Sequence, residues 1–312
     1  MGEINFDTII IFMLGILSIR DMISKNFDIP KDKKWSWIFY NKSEKSQIPP
    51  CFKRHEIFNK PSTIDTYSII DNLLLVASRH IKKFDNGLVH GRFSKEAIPS
   101  NYYINTLEAA HDKYEIGIMK AALIKLIQKC GTTNDLDFII SLKSGNDYLA
   151  RNFAQELEII HCVKSNIGSK VKAVVINGEE NKRQSLSLMY ENMDALLDYA
   201  SKSSEPLNGI IIDCSLSTGA GIKDCVTHFN SMIEEKVITN INKIEHAYVL
   251  YAHQHDTDLL FEKACKINRF FDMDEQLRAS IFQNIALKTD KNIGIKIVQK
   301  EMKDRNLLKI DI

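Results

Sequence analysis

Short runs of apolar residues alternate with longer amphipathic segments through the middle of the chain. Four of the runs have the length and the continuous hydrophobicity of buried strands; they are Asp137–Leu142, Val171–Ile176, Gly209–Asp213 and Ala247–Tyr251. Helices are predicted after the first three runs, at Asn152–Glu158, Ser185–Ser201 and Ala220–Glu235. This alternation predicts an α/β fold, a parallel sheet with helices on both faces.

The carboxyl ends of the predicted strands are the places where a ligand is expected, because ligands of parallel sheets bind beyond those ends. The rule selects three segments, Lys143–Asn146, Asp213–Gly221 and Ala252–Asp258. Each of them is rich in polar or small residues, as a loop that binds a ligand would be.

The alternation of strands and helices, together with the regions before and after it, predicts three parts of the chain. Residues 1–100 form a mostly helical or irregular N-terminal region, residues 101–260 the α/β domain and residues 261–312 a helical C-terminal extension. Apolar residues at helical spacing predict further helices at Ile64–Lys83, Leu107–Lys129 and Lys296–Lys309. The outer face of the last helix is either solvated or a surface for a second copy or a protein partner.

Composition narrows the class of protein. Hydrophobic residues make up 44% and charged residues 26% of the chain, which is typical of a soluble globular protein. Lysine and arginine number 41 against 40 for aspartate and glutamate, so the net charge gives no indication of nucleic-acid binding. The aromatic cluster Trp35–Tyr40 lies beside lysines, and it either anchors its segment on the core or stacks on bases.

The cysteines and the N-terminal residues indicate the cellular compartment in which the protein is expected. The six cysteines include no CxxC pair, which favours free thiols in a reducing compartment. The apolar run Thr8–Leu17 is shorter than the roughly 20 residues that span a bilayer. Acidic Glu3 and Asp7 precede it, where a signal peptide carries basic residues. We therefore expect a cytoplasmic protein that does not cross a membrane.

The segment after the third predicted strand carries the strongest chemical signal. Asp213 ends the strand, and Ser217, Thr218 and Gly219 lead into a predicted helix. Backbone N–H groups at a helix N-terminus point at whatever lies there, and the helix dipole favours an anion. Such a loop suits a phosphate group, while the Asp213 carboxylate suits sugar hydroxyls or Mg²⁺ nearby. The alternative interpretation is an ordinary strand-to-helix turn.

This segment resembles the phosphoribosyl pyrophosphate signature of the type I phosphoribosyltransferases, in which an apolar strand leads through two acids to a Thr-Thr-Gly-Gly-Thr loop. Asp213 matches the first acid, and Ser217 to Gly221 match the phosphate loop. Cys214 replaces the second acid, and Gly221 stands where Ser or Thr is usual. Uracil phosphoribosyltransferases also lack the second acid. By this resemblance the 5-phosphate ligands are Ser217, Thr218, Gly219, Ala220 and Gly221.

A second motif, after the first predicted strand, resembles the pyrophosphate loop of the same family. Leu142-Lys143-Ser144-Gly145 is similar to the Leu-Lys-Gly-Gly turn of the hypoxanthine-guanine branch. The resemblance implies that Lys143, Ser144 and Gly145 hold pyrophosphate. It also implies catalytic roles for Asp213 and Lys143, and an indirect contact of Asp213 with Mg²⁺.

Two weaker features keep alternatives open. His253 and His255 follow the fourth predicted strand; the resemblance implies a place beside the acceptor pocket, and a metal site is the alternative. Lys182 or Arg183 could lie on a loop that closes over pyrophosphate, or on an ordinary charged surface loop.

The resemblance covers about 140 of the 312 residues by the span of its motifs, roughly Tyr114 to Tyr251. It implies an enzyme that transfers or hydrolyses the ribose 5-phosphate group of phosphoribosyl pyrophosphate or a nucleotide, with Mg²⁺. Phosphoribosyltransferase-like domains also occur in bacterial antiviral defence, including retron effectors. The alternative function is therefore a sensor without catalysis that binds phosphoribosyl pyrophosphate or a nucleotide, or an effector that a partner regulates.

Overall fold

The structure is a computed structural model that describes residues 66–90, 98–130, 136–143, 147–165, 189–217, 219–253 and 265–310. The helices are α1 (Thr66–His80), α2 (Thr106–His111), α3 (Lys113–Cys130), α4 (Asp147–Leu157), α5 (Met193–Lys202), α6 (Ala220–Glu234), α7 (Glu275–Ile281) and α8 (Lys291–Asp304), with a π-helical turn at Phe282–Ala286. The strands are β1 (Ile81–His90), β2 (Ile98–Ile104), β3 (Leu136–Leu142), β4 (Ile160–Lys164), β5 (Tyr190–Glu191), β6 (Asn208–Leu216), β7 (His246–Ala252) and β8 (Lys266–Asp272).

Six of these strands form one sheet in the order β5-β4-β3-β6-β7-β8. All neighbouring pairs are parallel except β4 and β5. From β3 the chain runs outward through β4 to β5, and it then returns to the other side of β3 as β6. The direction of winding therefore reverses between β3 and β6, which makes this pair the topological switch point of the sheet.

The two faces of the sheet bury separate cores, because alternate residues of each strand point to opposite sides. In β6, Ile210 and Ile212 belong to the core that includes α1, α3, α4, α7 and α8. Ile211, between them, belongs to the core that includes α5 and α6. Burial on both faces is the physical reason for the continuous apolar run, and it confirms the predicted α/β fold.

A separate antiparallel hairpin, β1 and β2, precedes the sheet in the chain. Most of it belongs to the part of the chain that was predicted as a mostly helical or irregular N-terminal region. Its end is connected to α1, because the Asn105 amide donates to the carbonyl of His80 over 2.9 Å. Tyr103, which pairs with Lys82 across the hairpin, is brought by β2 to the site described below.

Three strands of the sheet were not predicted from the sequence: β4, β5 and β8. The predicted strand Val171–Ile176 lies outside the described residues. The predicted helices near residues 64–83, 107–129, 152–158, 220–235 and 296–309 are confirmed with shifted ends. Of the predicted helix Ser185–Ser201, residues 185–188 lie outside the described residues, and α5 accounts for the part from Met193 onward. In the part of the chain that the structure describes, every helix is too short or too polar to cross a membrane.

Candidate functional site

The described residues of the three segments that the sheet rule selected lie together at the carboxyl edge of the sheet. Leu142, at the end of β3, lies against the first turn of α6: a Cβ atom added to Gly221 would be 3.0 Å from Leu142 Cδ1. On the other side of β6, the His253 amide donates to the Leu216 carbonyl over 2.7 Å. The ends of β3, β6 and β7 therefore form one continuous rim that includes the switch point.

The loop between β6 and α6 ends in the backbone conformation of a helix N-terminal cap. Gly219 is the N-terminal cap of α6, with φ 72° and ψ −2°, and this left-handed conformation favours glycine. The first helical hydrogen bond runs from the Lys223 amide to the Gly219 carbonyl, over 3.0 Å. Ser217 is half-buried and Gly221 is exposed, while the predicted ligand Thr218 lies outside the described residues.

Asp213 lies in β6 next to this loop and is nearly buried, with 7% of its surface exposed. The Ser215 amide lies 3.4 Å from its Oδ1 atom, as a weak donor. Tyr103, on β2, lies close enough to feel the charge: burial raises the pKa of Tyr103, and the Asp213 carboxylate raises it further. The carboxylate and the phenol thus lie near each other at the carboxyl edge, the first buried and the second partly buried.

Cys214, where the family signature has a second acid, is part of the hydrophobic core. Complete burial raises the pKa of this thiol well above its ordinary value, and the Asp213 charge adds to the effect. A thiol that stays protonated is neither a nucleophile nor a metal ligand. Cys214 is therefore a packing residue, and Asp213 is the acid that this strand contributes to the site.

Lys143 directly follows β3, and its amide donates to the Lys164 carbonyl over 2.9 Å. Its ammonium group pairs with Glu191 of β5, and both side chains are about half exposed. The other two residues of the predicted pyrophosphate turn, Ser144 and Gly145, lie outside the described residues. An exposed ion pair of this kind stabilises a protein by about 1 kcal/mol or less, so Lys143 can exchange Glu191 for an anionic ligand at little cost.

A second lysine of this edge was not identified from the sequence. Lys164 ends β4, and its ammonium group pairs with Asp224 in the second turn of α6. Its side chain is 15% exposed, against 70% for Asp224. The strand that carries Lys164 was not predicted, because β4 has only five residues and two of them are a histidine and a lysine. Such a pattern does not indicate a buried strand.

A buried polar pair, Ser141 and His161, joins β3 to β4 just below the Lys143 turn. The Ser141 Oγ and His161 Nε2 atoms are 2.8 Å apart, and both residues are buried. Burial lowers the pKa of His161 to about 4, and the positive charge of Arg151 lowers it as well. The carboxylates of Asp147 and Glu191 raise the pKa, but their effect is smaller. The imidazole is therefore neutral at pH 7.

This pair predicts an acid-dependent loss of stability. The pKa of His161 falls from 6.5 when unfolded to about 4 when folded, so the unfolded state binds the proton more tightly. The contribution of the neutral His161 to the free energy of unfolding is complete above pH 6.5 and is lost as the pH falls toward 4. The total loss is roughly 3 kcal/mol. Urea unfolding of the wild type and His161→Gln between pH 4 and 8 measures it. Equal pH slopes for the two proteins would contradict the assignment, since the lowered pKa values of His228 and His246 affect both.

His253, the first of the two predicted acceptor-pocket histidines, follows β7 directly. Its ring stacks on Tyr103, with 6.3 Å between centroids and 23° between planes. His255 lies outside the described residues. Tyr103 and Arg278, which also contacts His253, were not identified from the sequence, because neither belongs to a motif of the sheet.

Among the described residues, no group of three or more His, Cys, Asp and Glu side chains is placed to hold a metal ion. Asp213 is the carboxylate that β6 presents beside the phosphate loop. Mg²⁺ in phosphate-binding sites commonly uses one or two carboxylates together with substrate phosphates. The Asp213 carboxylate therefore fits an Mg²⁺ ion that is bound mainly by a diphosphate, as a partial ligand or through water.

Similar solved structures include three phosphoribosyltransferases. Orotate phosphoribosyltransferase from Aeropyrum pernix has a TM-score of 0.43 and 13% identity, covering 64% of this chain and 90% of that chain. Adenine phosphoribosyltransferase from Saccharomyces cerevisiae has a TM-score of 0.38 and 13% identity, covering 63% and 96%. Adenine phosphoribosyl transferase from Trypanosoma brucei, in complex with AMP, pyrophosphate and ribose-5-phosphate, has a TM-score of 0.39 and 10% identity, covering 69% and 83%. No protein-family model and no curated protein sequence matches the chain.

Proposed function

We propose that this protein binds phosphoribosyl pyrophosphate at the carboxyl edge of the sheet and transfers its ribose 5-phosphate group to an acceptor. One observation carries the proposal. The switch point of the sheet lies between β3 and β6, and the loops after these two strands are the two segments that resemble the family signature. The contact between Leu142 and Gly221 supports a single site that includes both loops.

The 5-phosphate binds in the loop that begins α6. The amides of Gly219, Ala220 and Gly221 and the hydroxyls of Ser217 and Thr218 supply donors, and the α6 dipole adds positive potential. Gly219 allows the chain to adopt the left-handed conformation that precedes α6, and the N–H groups of a first helical turn point toward the N-terminal end of the helix. Gly221 has no Cβ, which lets the backbone come close to the phosphate.

The pyrophosphate group binds to Lys143, Ser144 and Gly145. The Lys143 ammonium leaves Glu191 and pairs with the leaving group, whose negative charge grows as the glycosidic bond breaks. Lys164, whose ammonium lies beside α6, adds positive potential to the same edge. Lys143 is thus the catalytic cation, while Lys164 acts at longer range.

Asp213 binds the ribose hydroxyls and stabilises the positive charge that builds at the anomeric carbon. Bound Mg²⁺ would neutralise the charge of the diphosphate, and Asp213 would contact it from the ribose side. The reaction needs positioning and electrostatic stabilisation, with no nucleophile from the protein. His253 and His255 line the pocket of the acceptor, which is a heterocyclic base or, in hydrolysis, water.

A turnover assay tests this function. Purified protein with phosphoribosyl pyrophosphate, Mg²⁺ and a panel of purine and pyrimidine bases should release pyrophosphate, and omission of Mg²⁺ is the control. A second candidate, a sensor without catalysis, is favoured by the buried Cys214 at the position of the second acid. Binding at micromolar concentration with no release of pyrophosphate would support the sensor, and no binding at all would refute both.

The phosphate loop can be tested on its own. The double variant Ser217→Ala with Thr218→Ala removes two hydroxyl donors, and hydrogen bonds to a charged group contribute about 1.5–3 kcal/mol each. We expect phosphoribosyl pyrophosphate to bind at least about tenfold more weakly, as measured by isothermal titration calorimetry. Ser204→Ala, at an exposed serine before β6, is the matched control at the opposite end of the strand. Unchanged affinity in the double variant would move the phosphate away from this loop.

A further inference from the structure

A buried arginine joins three segments at the carboxyl edge. Arg278, on α7, is 2% exposed. Its Nη1 atom lies 3.1 Å from His253 Nδ1 and 3.3 Å from the His253 carbonyl, after β7. Its Nη2 atom donates to Ser100 Oγ of β2 over 3.0 Å and to Glu275 Oε2 over 2.8 Å. Arg278 thus connects the hairpin, α7 and the end of the sheet.

Glu275 balances the buried charge. Its Oε2 atom accepts from Ser100 Oγ over 2.6 Å, and its Oε1 atom accepts from the Asn101 amide over 2.8 Å. Burial alone would raise the pKa of Glu275, but the hydrogen bonds from Ser100 and Arg278 outweigh it and the pKa is lowered. The Arg278 side chain is 3% exposed and the Glu275 side chain 41%. The pair therefore joins a buried guanidinium to a partly exposed carboxylate whose two oxygens both accept hydrogen bonds.

The contact with Arg278 decides where His253 carries its proton. A guanidinium group has donors and no acceptor. Nη1 also donates to the Met273 carbonyl, and its second hydrogen lies between the His253 carbonyl and Nδ1. A hydrogen bond from Nη1 to Nδ1, 3.1 Å away, requires Nδ1 to accept. A neutral imidazole whose Nδ1 accepts carries its proton on Nε2. Protonation of both nitrogens would place two donors and two positive charges against each other in a buried site.

We propose that Arg278 is a positioning residue that holds His253 as the neutral Nε2–H tautomer, with its ring against Tyr103. Every group that contacts Nε2 is consequently a hydrogen-bond acceptor. The Nε2 atom is itself buried. The tautomer is a property of this packing and does not rest on the proposed function.

Nitrogen-15 NMR of the histidine rings tests the tautomer directly in the full chain. The chain has nine histidines, so a His253→Gln variant assigns the His253 signals by their loss. At neutral pH we expect one His253 nitrogen with the shift and proton coupling of N–H, at Nε2, and one with the shift of an unprotonated nitrogen, at Nδ1. A protonated Nδ1, in either the other tautomer or the imidazolium, would overturn the proposal.

Two variants test whether Arg278 is the cause. In Arg278→Lys, one donor can still reach Nδ1, and the Nε2–H tautomer should remain dominant. In Arg278→Met, no donor remains, and the two tautomers should exchange with averaged shifts; an unchanged spectrum would overturn the proposal. If the methionine variant does not fold, a loss of the Nε2–H tautomer in the folded lysine variant would overturn it equally, and its retention would support the donor role.

The same samples separate this inference from the proposed function. Affinity for phosphoribosyl pyrophosphate is measured on the wild type by calorimetry. A protein with the Nε2–H tautomer and no affinity for this ligand would refute the proposed function and leave the role of Arg278 intact. A protein that binds the ligand with His253 in the other tautomer would refute the role of Arg278 alone.

Discussion

An Asp213→Asn variant is expected to lose about a hundredfold to a thousandfold in the rate of ribose 5-phosphate transfer while it keeps its fold. The two side chains have nearly the same shape, so the packing in β6 is preserved. The amide has no charge with which to oppose the positive charge at the anomeric carbon, and it is a poor partner for Mg²⁺. Pyrophosphate release at saturating substrate measures the effect on kcat.

Asp198→Asn is the matched control for this variant. Asp198 lies on the surface of α5 and pairs with Lys202 one helical turn away, an exposed pair of little energetic consequence. It should retain the wild-type rate. If the protein binds without turnover, Asp213→Asn should instead reduce the gain in affinity that Mg²⁺ provides. A variant with wild-type rate, or with the wild-type response to Mg²⁺, would exclude Asp213 from the site.

The local sequence was sufficient to predict those strands that are buried because nearly all of their residues are apolar. β6 and β7 were predicted because each contains a continuous apolar run, Ile210–Ile212 and Ala247–Tyr251. β8 was missed because Asn268 and Arg269 interrupt its pattern. The structure accommodates Asn268 by a hydrogen bond to the Ala247 carbonyl and Arg269 by an ion pair with Asp272. The Ala247 carbonyl belongs to the neighbouring strand β7 and is in place only when the sheet has formed, so no local pattern could reveal it.

Some residues of the candidate site could likewise be predicted from local sequence, and others could not. The two loops were predicted because each is a contiguous motif, and the strand order then accounts for their proximity. Tyr103 and Arg278 reach the same edge from the hairpin and from α7. Their position depends on tertiary contacts between segments more than a hundred residues apart along the chain, such as Arg278 with Ser100. The sequence contains these residues without any spacing that would connect them.

A large loss of stability is expected from adding one methyl group to a helix, at Gly294 of α8. A Cβ atom there would lie 1.9 Å from the Asn284 carbonyl oxygen and 2.7 Å from its carbon, in the π-helical turn. These are backbone atoms, which cannot rotate away as a side chain can. Gly294→Ala must therefore displace α8 from the turn, and we expect a loss of about 2 kcal/mol or more in the free energy of unfolding.

Gly117 of α3 offers the same chemical change in a different environment. No atom lies within 4 Å of a Cβ added there, and the residue is exposed. Alanine restricts the unfolded chain more than glycine does, so Gly117→Ala should increase the free energy of unfolding by about 0.5–1 kcal/mol. Urea unfolding of both variants gives the comparison. Changes of the same sign would mean that helix propensity, and not the close approach of α8 to the π-helical turn, determines the result at Gly294.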